Sequence, residues 1–151
     1  MPKKVLMVCL GNICRSPLAE GILQSKISKD TCLVDSAGTA NYHIGDAPDY
    51  RSIAVAKKHG IAIQNQKCRQ LTLTDFETFD SIYVMDKNNY ANVLKLAPNK
   101  AAKEKVKFIL NELYPNQNLE VPDPYYGGID GFEEVFQLLD KACTELAQKL
   151  K

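Results

Sequence analysis

The sequence predicts a small parallel α/β sandwich, in which helices cover both faces of a sheet of parallel strands. Two observations support this fold class. Short apolar segments alternate with segments of helical periodicity, and the apolar segments are apolar in runs rather than at every second residue. Strands that are apolar throughout are typical of sheets buried on both faces. The length of 151 residues, of which 45% are apolar, suits one core, so we expect a single domain over residues 1–151.

The first half of the chain contains two predicted strands and two predicted helices. The segment KVLMVC at 4–9 is an apolar run of strand length, and TCLVDSAG at 31–38 is the second such run. Between them, PLAEGILQSKI at 17–27 has helical spacing, and Pro17 suits the first position of a helix. A second helix is predicted from Pro48 to Gly60, because proline favours helix starts and glycine favours helix ends.

The second half continues the alternation of strands and helices. A short helix is predicted at 74–80, a third strand at 81–85 and a helix at 87–97, directly before a proline. The segment KVKFIL at 105–110 is the fourth strand. Residues 131–150 form a long terminal helix, because their apolar side chains recur along one stripe.

Charge and composition exclude several classes of function. The formal net charge is +1, so charge gives no argument for a nucleic-acid partner or a membrane surface. The lysine-rich segment at 99–107 is interpreted as a solvated face, because acidic and apolar residues interrupt it. The N-terminal apolar run is too short for a signal peptide or a membrane span. We therefore expect a cytoplasmic protein that binds neither nucleic acid nor membrane and is a monomer.

The five cysteines do not have the pattern of a disulfide framework, because their number is odd and their spacing irregular. Cys32 and Cys143 lie in apolar patterns and are predicted to be buried packing residues. The sequence does not indicate a role for Cys68.

The loop between the first strand and the first helix carries the strongest chemical signal. Ligands bind beyond the carboxyl ends of parallel strands, and Cys9 lies at such an end. Loop amides and a helix N-terminus favour a thiolate there and could surround a tetrahedral anion, while Arg15 could hold its oxygens. Gly11 and Asn12 suit positions that need a positive φ or a close approach of backbone to ligand. Ser16 could either cap the helix or hydrogen-bond the sulfur.

Other types of loop do not fit this segment. A Walker loop needs Gly-Lys-Ser/Thr before its helix, whereas the segment reads Cys-Arg-Ser. Zinc needs more ligands than Cys9 and Cys14, and a thioredoxin-type site would need Cys-x-x-Cys. The loop therefore indicates neither a nucleoside triphosphate site, nor a zinc site, nor a thioredoxin-type site.

A candidate proton donor lies far along the chain, in the segment VPDPYYGG. Asp123 stands between Pro122 and Pro124, which stiffen the backbone and favour a turn. A carboxylate presented from such a loop suits general acid catalysis. The tyrosines that follow could line a slot for an aromatic leaving group.

The combination of VCLGNICRSPLAE and VPDPYYGG resembles the low-molecular-weight protein tyrosine phosphatase family. The similarity extends through DSAGTANYHIG, KKHGI, RQLTLTDFETFDSIYVMD and the terminal helix, and so covers nearly the whole chain. The resemblance implies a three-layer α/β/α sandwich with a four-stranded parallel sheet and a phosphate loop between the first strand and the first helix. It also implies hydrolysis of phosphotyrosine, in proteins or as small aryl phosphates, through a phosphocysteine intermediate without a cofactor.

Carried over residue by residue, the resemblance implies a role for each residue of the motifs. Cys9 is the nucleophile, Arg15 the phosphate clamp and Asp123 the general acid. Ser16 stabilises the thiolate. The substrate-binding positions are Leu10, Gly11, Asn12, Ile13, Cys14 and Ser16 of the loop, together with Tyr42 and Tyr125, which are expected to sandwich the substrate ring. Asn12, Ser36 and His59 match a hydrogen-bonded set that supports the loop.

Several alternatives stay open. Related protein arginine phosphatases have Thr at the position of Ile13, and a branched apolar group there favours an aryl phosphate. A thioredoxin-coupled arsenate reductase has a similar fold and loop, but it needs relay cysteines, which are absent between Cys68 and Cys143. A module that binds phosphotyrosine without turnover would need neither a thiolate nor Asp123. Cys14 either packs beneath the loop or forms a reversible disulfide with Cys9.

Overall fold

The sheet has four parallel strands. The computed structural model describes residues 2–126 and 128–151. The strands are Lys3–Cys9 (β1), Cys32–Gly38 (β2), Ser81–Val84 (β3) and Val106–Phe108 (β4). Their order in the sheet is β2-β1-β3-β4, and every neighbouring pair is parallel. The predicted four-stranded parallel sheet is confirmed.

In the described residues, six helices connect and cover the strands. They are Arg15–Lys26 (α1), Tyr50–Lys58 (α2), Asp75–Thr78 (α3), Lys87–Leu96 (α4), Lys100–Glu104 (α5) and Gly128–Leu150 (α6). Two 3₁₀ turns, Ile109–Glu112 and Pro124–Tyr126, lie in the connections after β4. No helix in the described residues combines the length and the apolar character that a membrane crossing requires.

Two apolar clusters show that the helices form layers on opposite faces of the sheet. Side chains of α1, α2 and α6 pack with Val5 and Met7 of β1. Side chains of α3, α4 and α5 pack with Leu6 and Val8, which point to the other face because side chains alternate along a strand. The predicted three-layer α/β/α sandwich is therefore confirmed, and burial on both faces explains why the strands are apolar throughout.

Several element bounds differ from the sequence predictions. The fourth strand, predicted to reach Leu110, ends at Phe108, because a 3₁₀ turn begins at Ile109. The first helix begins at Arg15, two residues before Pro17, so the proline occupies the third helical position. Proline is tolerated there because the first four N–H groups of a helix have no partner within the helix. The segment at 99–107, interpreted as a solvated face, contains the short helix α5, whose Ala102 is buried against β4.

The carboxyl end of β1 meets the end of β2 closely. Cys9 pairs with Gly38 in the parallel register. A Cβ atom on Gly38 would lie only 2.8 Å from the Leu10 carbonyl oxygen and 3.1 Å from the Asn12 amide nitrogen. A side chain would therefore push the loop after β1 outward, so glycine at this position permits the loop to fold back over the strand end.

Candidate active site

The loop from Cys9 to Arg15 turns at Asn12. Asn12 has a φ of 58°, the left-handed conformation that asparagine adopts more readily than most residues. Its buried amide holds the turn, because Nδ2 donates to Ser16 Oγ at 2.9 Å and to Ser36 Oγ at 3.0 Å. Its Oδ1 accepts from the Arg69 backbone N–H at 2.9 Å. The predicted need for a positive φ in this loop is met at Asn12.

A chain of hydrogen bonds connects the loop to a carboxylate on α1. Ser36 Oγ donates to Glu20 Oε1 at 2.7 Å and therefore accepts from Asn12. Because Asn12 also donates to Ser16, the Ser16 hydroxyl hydrogen is left for Cys9 Sγ, 3.0 Å away. The Asn12 NH2 group thus donates to both hydroxyls, and the series of hydrogen bonds ends on the Ser16 hydroxyl, which can donate to the Cys9 sulfur.

Burial acts strongly on the carboxyl at the far end of this chain. It raises the pKa of Glu20 to about 7, and the charge of Asp35 adds to the increase, while the Ser36 hydrogen bond and the charges of Arg69 and Lys29 oppose it. Glu20 therefore changes its protonation state near neutral pH.

Arg15 is held in place by two acceptors. Its side chain is only 4% exposed, and Nη1 donates to Asp86 Oδ2 at 2.8 Å and to the Val121 carbonyl at 2.9 Å. Asp86 also caps α4 by accepting from the Asn89 amide at 2.7 Å, so the carboxylate itself has a fixed position. The guanidinium is therefore oriented before any anion binds.

Asp123 faces Arg15 from the other side of the site. Its carboxylate is 43% exposed, and Oδ2 lies 4.0 Å from Arg15 Nη2. Oδ1 accepts from the Tyr125 backbone N–H at 3.0 Å, which closes the turn between the two residues. Asp123 is thus a solvent-accessible carboxyl group on a stiffened turn beside the guanidinium.

Arg51 ties this turn to the start of α2. Nη1 donates to the Tyr125 carbonyl at 3.1 Å, while Nε and Nη2 each donate to the Asp49 carboxylate at 3.1 Å. Burial alone would raise the pKa of Asp49, but the hydrogen bonds and charge of Arg51 outweigh it and lower the pKa. The planar guanidinium therefore links the turn to a fixed carboxylate.

These residues surround one cavity of about 220 Å³. The residues that line it are Cys9, Leu10, Gly11, Ile13, Cys14, Arg15, Tyr42, His43, Asp123 and Tyr125. The structure thus brings together the three residues predicted to be catalytic, although Asp123 lies far along the chain from Cys9 and Arg15. Tyr42 is 71% exposed and Tyr125 42% exposed, so two aromatic side chains stand at the solvent-facing part of the cavity. A thiol, a guanidinium and a carboxyl group facing one cavity can bind and transfer a phosphoryl group.

Asn12 and Ser16 were predicted among the substrate-binding positions, but their side chains lie behind the loop, where they contact one another, Ser36 and Cys9. Ser16 lies within α1, whose N-cap is Cys14, so its hydroxyl bonds the sulfur rather than capping the helix. Buried Cys14 does line the cavity.

The prediction for His59 is wrong. Its Nε2 lies 2.9 Å from Glu133 Oε2 on α6, and its ring stacks on Phe136 with centroids 4.1 Å apart. His59 follows the nine-residue helix α2, whose start contacts the loop through the Asp49 N–H and the Ile13 carbonyl. At about 1.5 Å per residue, the helix carries His59 away from the loop. Glu20, rather than His59, bonds Ser36.

Sequence reasoning missed several residues of the site. Asp86 follows the third apolar run directly, so its place at a strand end was an available signal. Glu20 and Arg51 gave no comparable signal, because their contacts with Ser36 and Tyr125 join separate segments of the chain.

Two further residues lie against the loop. The Cys68 thiol, whose role the sequence did not indicate, donates to the Asn12 carbonyl, and burial raises the pKa of this thiol to about 11. The His43 ring packs beside Gly11. A Cβ atom added to Gly11 would lie 3.3 Å from His43 Cδ2.

Comparison with known proteins decides the family. The family model of low-molecular-weight phosphotyrosine protein phosphatases matches residues 4–151. The chain belongs to this family. It is 41% identical to the low-molecular-weight phosphotyrosine protein phosphatase of Gallus gallus, over 97% of this chain and 95% of the relative. The predicted resemblance is thereby confirmed.

Solved structures of phosphatases agree with the fold. The protein tyrosine phosphatase of Entamoeba histolytica, crystallised with Hepes in its active site, superposes with a TM-score of 0.90 at 39% identity, over 98% of this chain and 96% of that chain. Wzb of Vibrio vulnificus, in complex with benzylphosphonate, superposes with a TM-score of 0.88 at 33% identity, over 97% of this chain and 98% of that one. As a member of the phosphatase family, the chain is a cysteine-dependent hydrolase of phosphotyrosine.

Proposed function

We propose that Cys9, Arg15 and Asp123 carry out this hydrolysis as nucleophile, phosphate clamp and general acid. The observation that supports the assignment is that these three side chains line the same cavity. The Ser16 hydroxyl at 3.0 Å from Cys9 Sγ supplies a hydrogen bond that a thiolate can accept. Arg15, fixed by Asp86, is the preformed partner for the phosphoryl oxygens.

In the first step Cys9 Sγ attacks phosphorus, and a sulfur–phosphorus bond forms as the bond between phosphorus and the aryl oxygen breaks. Asp123 gives its proton to the departing phenolic oxygen. Arg15 and the loop amides stabilise the charge on the three equatorial oxygens. The products of this step are a phenol, a phosphocysteine and an ionised Asp123.

In the second step water attacks the phosphocysteine. Asp123, now a carboxylate, accepts a proton from the water, and the sulfur–phosphorus bond breaks. Inorganic phosphate leaves, and Cys9 returns as a thiolate. The exposure of the Asp123 carboxylate, 43%, supports this step, because water can reach it.

The proposed binding mode places the substrate ring between Tyr42 and Tyr125. Both tyrosines line the cavity together with Ile13, an apolar residue suited to a phenyl ring. The complex of Wzb with benzylphosphonate, in which a phenyl ring is joined to a phosphonate, supports an aryl ligand for this class of cavity. We propose phosphotyrosine-containing proteins and small aryl phosphates as substrates, and a monomer as the active form.

Kinetics on a series of aryl phosphates tests these roles. Cys9→Ser should abolish turnover, and Asp123→Ala should slow turnover by about 10²- to 10⁴-fold, most for phenols that leave poorly. Near-normal turnover by Cys9→Ser would overturn the assignment.

Rates on phosphotyrosine and phosphoarginine peptides of the same sequence test the substrate class. Faster turnover of phosphoarginine would contradict the proposed binding mode.

A further inference from the structure

A second cavity lies beside the candidate active site, between α2 and α6. Its volume is about 300 Å³, and its lining residues are Tyr50, Arg51, Ala54, Val55, Lys58, Asp130, Phe132 and Glu133. Val55 and Phe132 are buried, while Ala54 is exposed. The volume is at the lower end of the roughly 300–1,000 Å³ of small-molecule sites, which suits one large apolar side chain.

Arg51 lines this cavity and contacts a residue of the active-site cavity. Its Cζ lies 4.6 Å from the Phe132 ring centroid and 5.1 Å from the Tyr125 ring centroid. Phe132 lines the second cavity, and Tyr125 lines the first. The Arg51 guanidinium therefore contacts a lining residue of each cavity, so the two cavities are neighbours on this side of Tyr125.

We propose that the second cavity is a subsite for one apolar side chain of the phosphotyrosine substrate, two or three residues from the phosphotyrosine. This proposal rests on the proposed function, because it requires phosphotyrosine in the first cavity. An extended peptide advances about 3.3 Å per residue. Two or three residues thus span roughly 7–10 Å, enough to pass the stacked Tyr125 and Arg51.

The charges around the second cavity favour a neutral occupant. Lys58 Nζ is 2.9 Å from Glu133 Oε1, and the Arg51 guanidinium is paired with Asp49, so both cations already have partners. Asp130 adds a further carboxylate to the lining. An acidic side chain in this cavity would be repelled by Asp130 and Glu133. Among the described lining residues, both cations are already paired, so an acidic side chain should bind worse than an aliphatic one.

Peptide kinetics provide the test. The substrates are phosphotyrosine peptides with Ser at all flanking positions, in which one Leu is moved from three residues before to three residues after the phosphotyrosine. We expect kcat/KM to rise about five- to tenfold when Leu occupies one position two or three residues away, because partial burial of one apolar side chain discriminates by this order. Asp at that position should give no rise.

Filling the cavity should remove this preference. Ala54→Trp places a large side chain in the cavity, whereas Ala91→Trp, at another exposed helical alanine on α4, is the matched control. Ala54→Trp should cancel the gain from Leu and leave kcat/KM for p-nitrophenyl phosphate unchanged. Ala91→Trp should keep the gain. As a second variant, Ala54→Asp should cancel the gain from Leu and favour Lys at the same position.

Three outcomes would overturn the proposal. The first is a wild-type protein with no preference for Leu at any of the tested positions. The second is a preference that survives both Ala54 variants. The third is self-association that Ala54→Trp abolishes without an effect on peptide selectivity, because the occupant would then be a second copy of the chain. The first two results leave the proposed hydrolysis intact, and the third contradicts only the proposed monomer. The proposed catalytic roles fail if aryl phosphate is not hydrolysed or if Cys9→Ser remains active.

Discussion

Arg15 and Asp86 form a 2.8 Å ion pair in which the arginine side chain is almost completely buried. The same carboxylate caps α4, so the start of one helix fixes the guanidinium at the start of another. A buried guanidinium that keeps a single geometry loses little conformational freedom when an anion binds. We therefore infer that Asp86 positions Arg15, the proposed phosphate clamp.

Asp86→Ala should separate this positioning role from helix capping. We expect kcat/KM for p-nitrophenyl phosphate to fall about 10- to 100-fold, because a displaced guanidinium no longer matches the phosphoryl oxygens. The control is Asn99→Ala, which removes the side-chain cap of α5 far from the cavity. Both variants should lose about 1 kcal/mol or more of unfolding free energy in urea. Equal kinetics in the two variants would contradict the role of Asp86.

Arg51→Ala should impair Asp123, the proposed general acid, and leave the proposed phosphate contacts of Arg15 in place. Arg51 donates to the Tyr125 carbonyl, and the Tyr125 backbone N–H donates to the Asp123 carboxylate. Without Arg51, the turn that carries Asp123 loses its link to α2, and the carboxyl group is less well positioned. We expect kcat to fall about tenfold or more for phenols that leave poorly and to change little for those that leave well. Measurement of kcat across a series of leaving groups checks this. Lys57→Ala, at an exposed lysine of the same helix, is the control, and an equal fall for every leaving group would refute the prediction.

The strands and the phosphate loop were predictable because their signals are local. An apolar run of strand length identifies β1 directly. Cys9 ends this strand, and Asn12 and Arg15 follow in the next six positions. Helix α5 was not predicted, because it is only five residues long and Ala102 alone of its residues is buried. A single apolar contact does not produce a periodic pattern.

The supporting contacts of the site depend on how distant segments pack. Ser36 reaches Glu20 only because β2 lies beside β1 and α1 covers that edge. His59 was assigned to the same cluster, but the packing of α6 against α2 places Glu133 and Phe136 beside its ring. Neither arrangement can be derived from the spacing of residues along the chain. Asp86 differs, because its position after an apolar strand was visible in the sequence.

Glu20→Gln should change how stability depends on pH. Burial raises the pKa of Glu20 from 4.5 to about 7, so between these values the folded chain binds a proton that the unfolded chain has released. The unfolding free energy contributed by this group therefore falls as the pH rises through that window. The groups that act on the carboxyl are Ser36, Asp35, Arg69 and Lys29.

Urea unfolding at several pH values between about 5 and 8 checks this prediction. Relative to wild type, Glu20→Gln should become progressively more stable as the pH increases, because glutamine does not titrate. Glu145→Gln, at an exposed glutamate on α6, should run parallel to wild type. A constant difference between Glu20→Gln and wild type over this range would show that Glu20 has its ordinary pKa.

Cys14 should resolve oxidised Cys9 increasingly well as the pH rises. Burial raises the pKa of the Cys14 thiol to about 12, and the charge of Asp49 adds to the increase, so only a small fraction is thiolate at neutral pH. Peroxide converts the Cys9 thiolate to a sulfenic acid; the Cys14 thiolate then attacks its sulfur, a disulfide forms and hydroxide leaves. Because the thiolate fraction of Cys14 grows about tenfold per pH unit, the ratio of disulfide to Cys9 sulfinic acid should grow with pH.

Mass spectrometry after mild peroxide treatment measures this ratio. Cys14→Ser should yield only the sulfinic acid, while Cys32→Ala should behave as wild type, and a Cys9 sulfinic acid as the sole product at every pH would eliminate the disulfide.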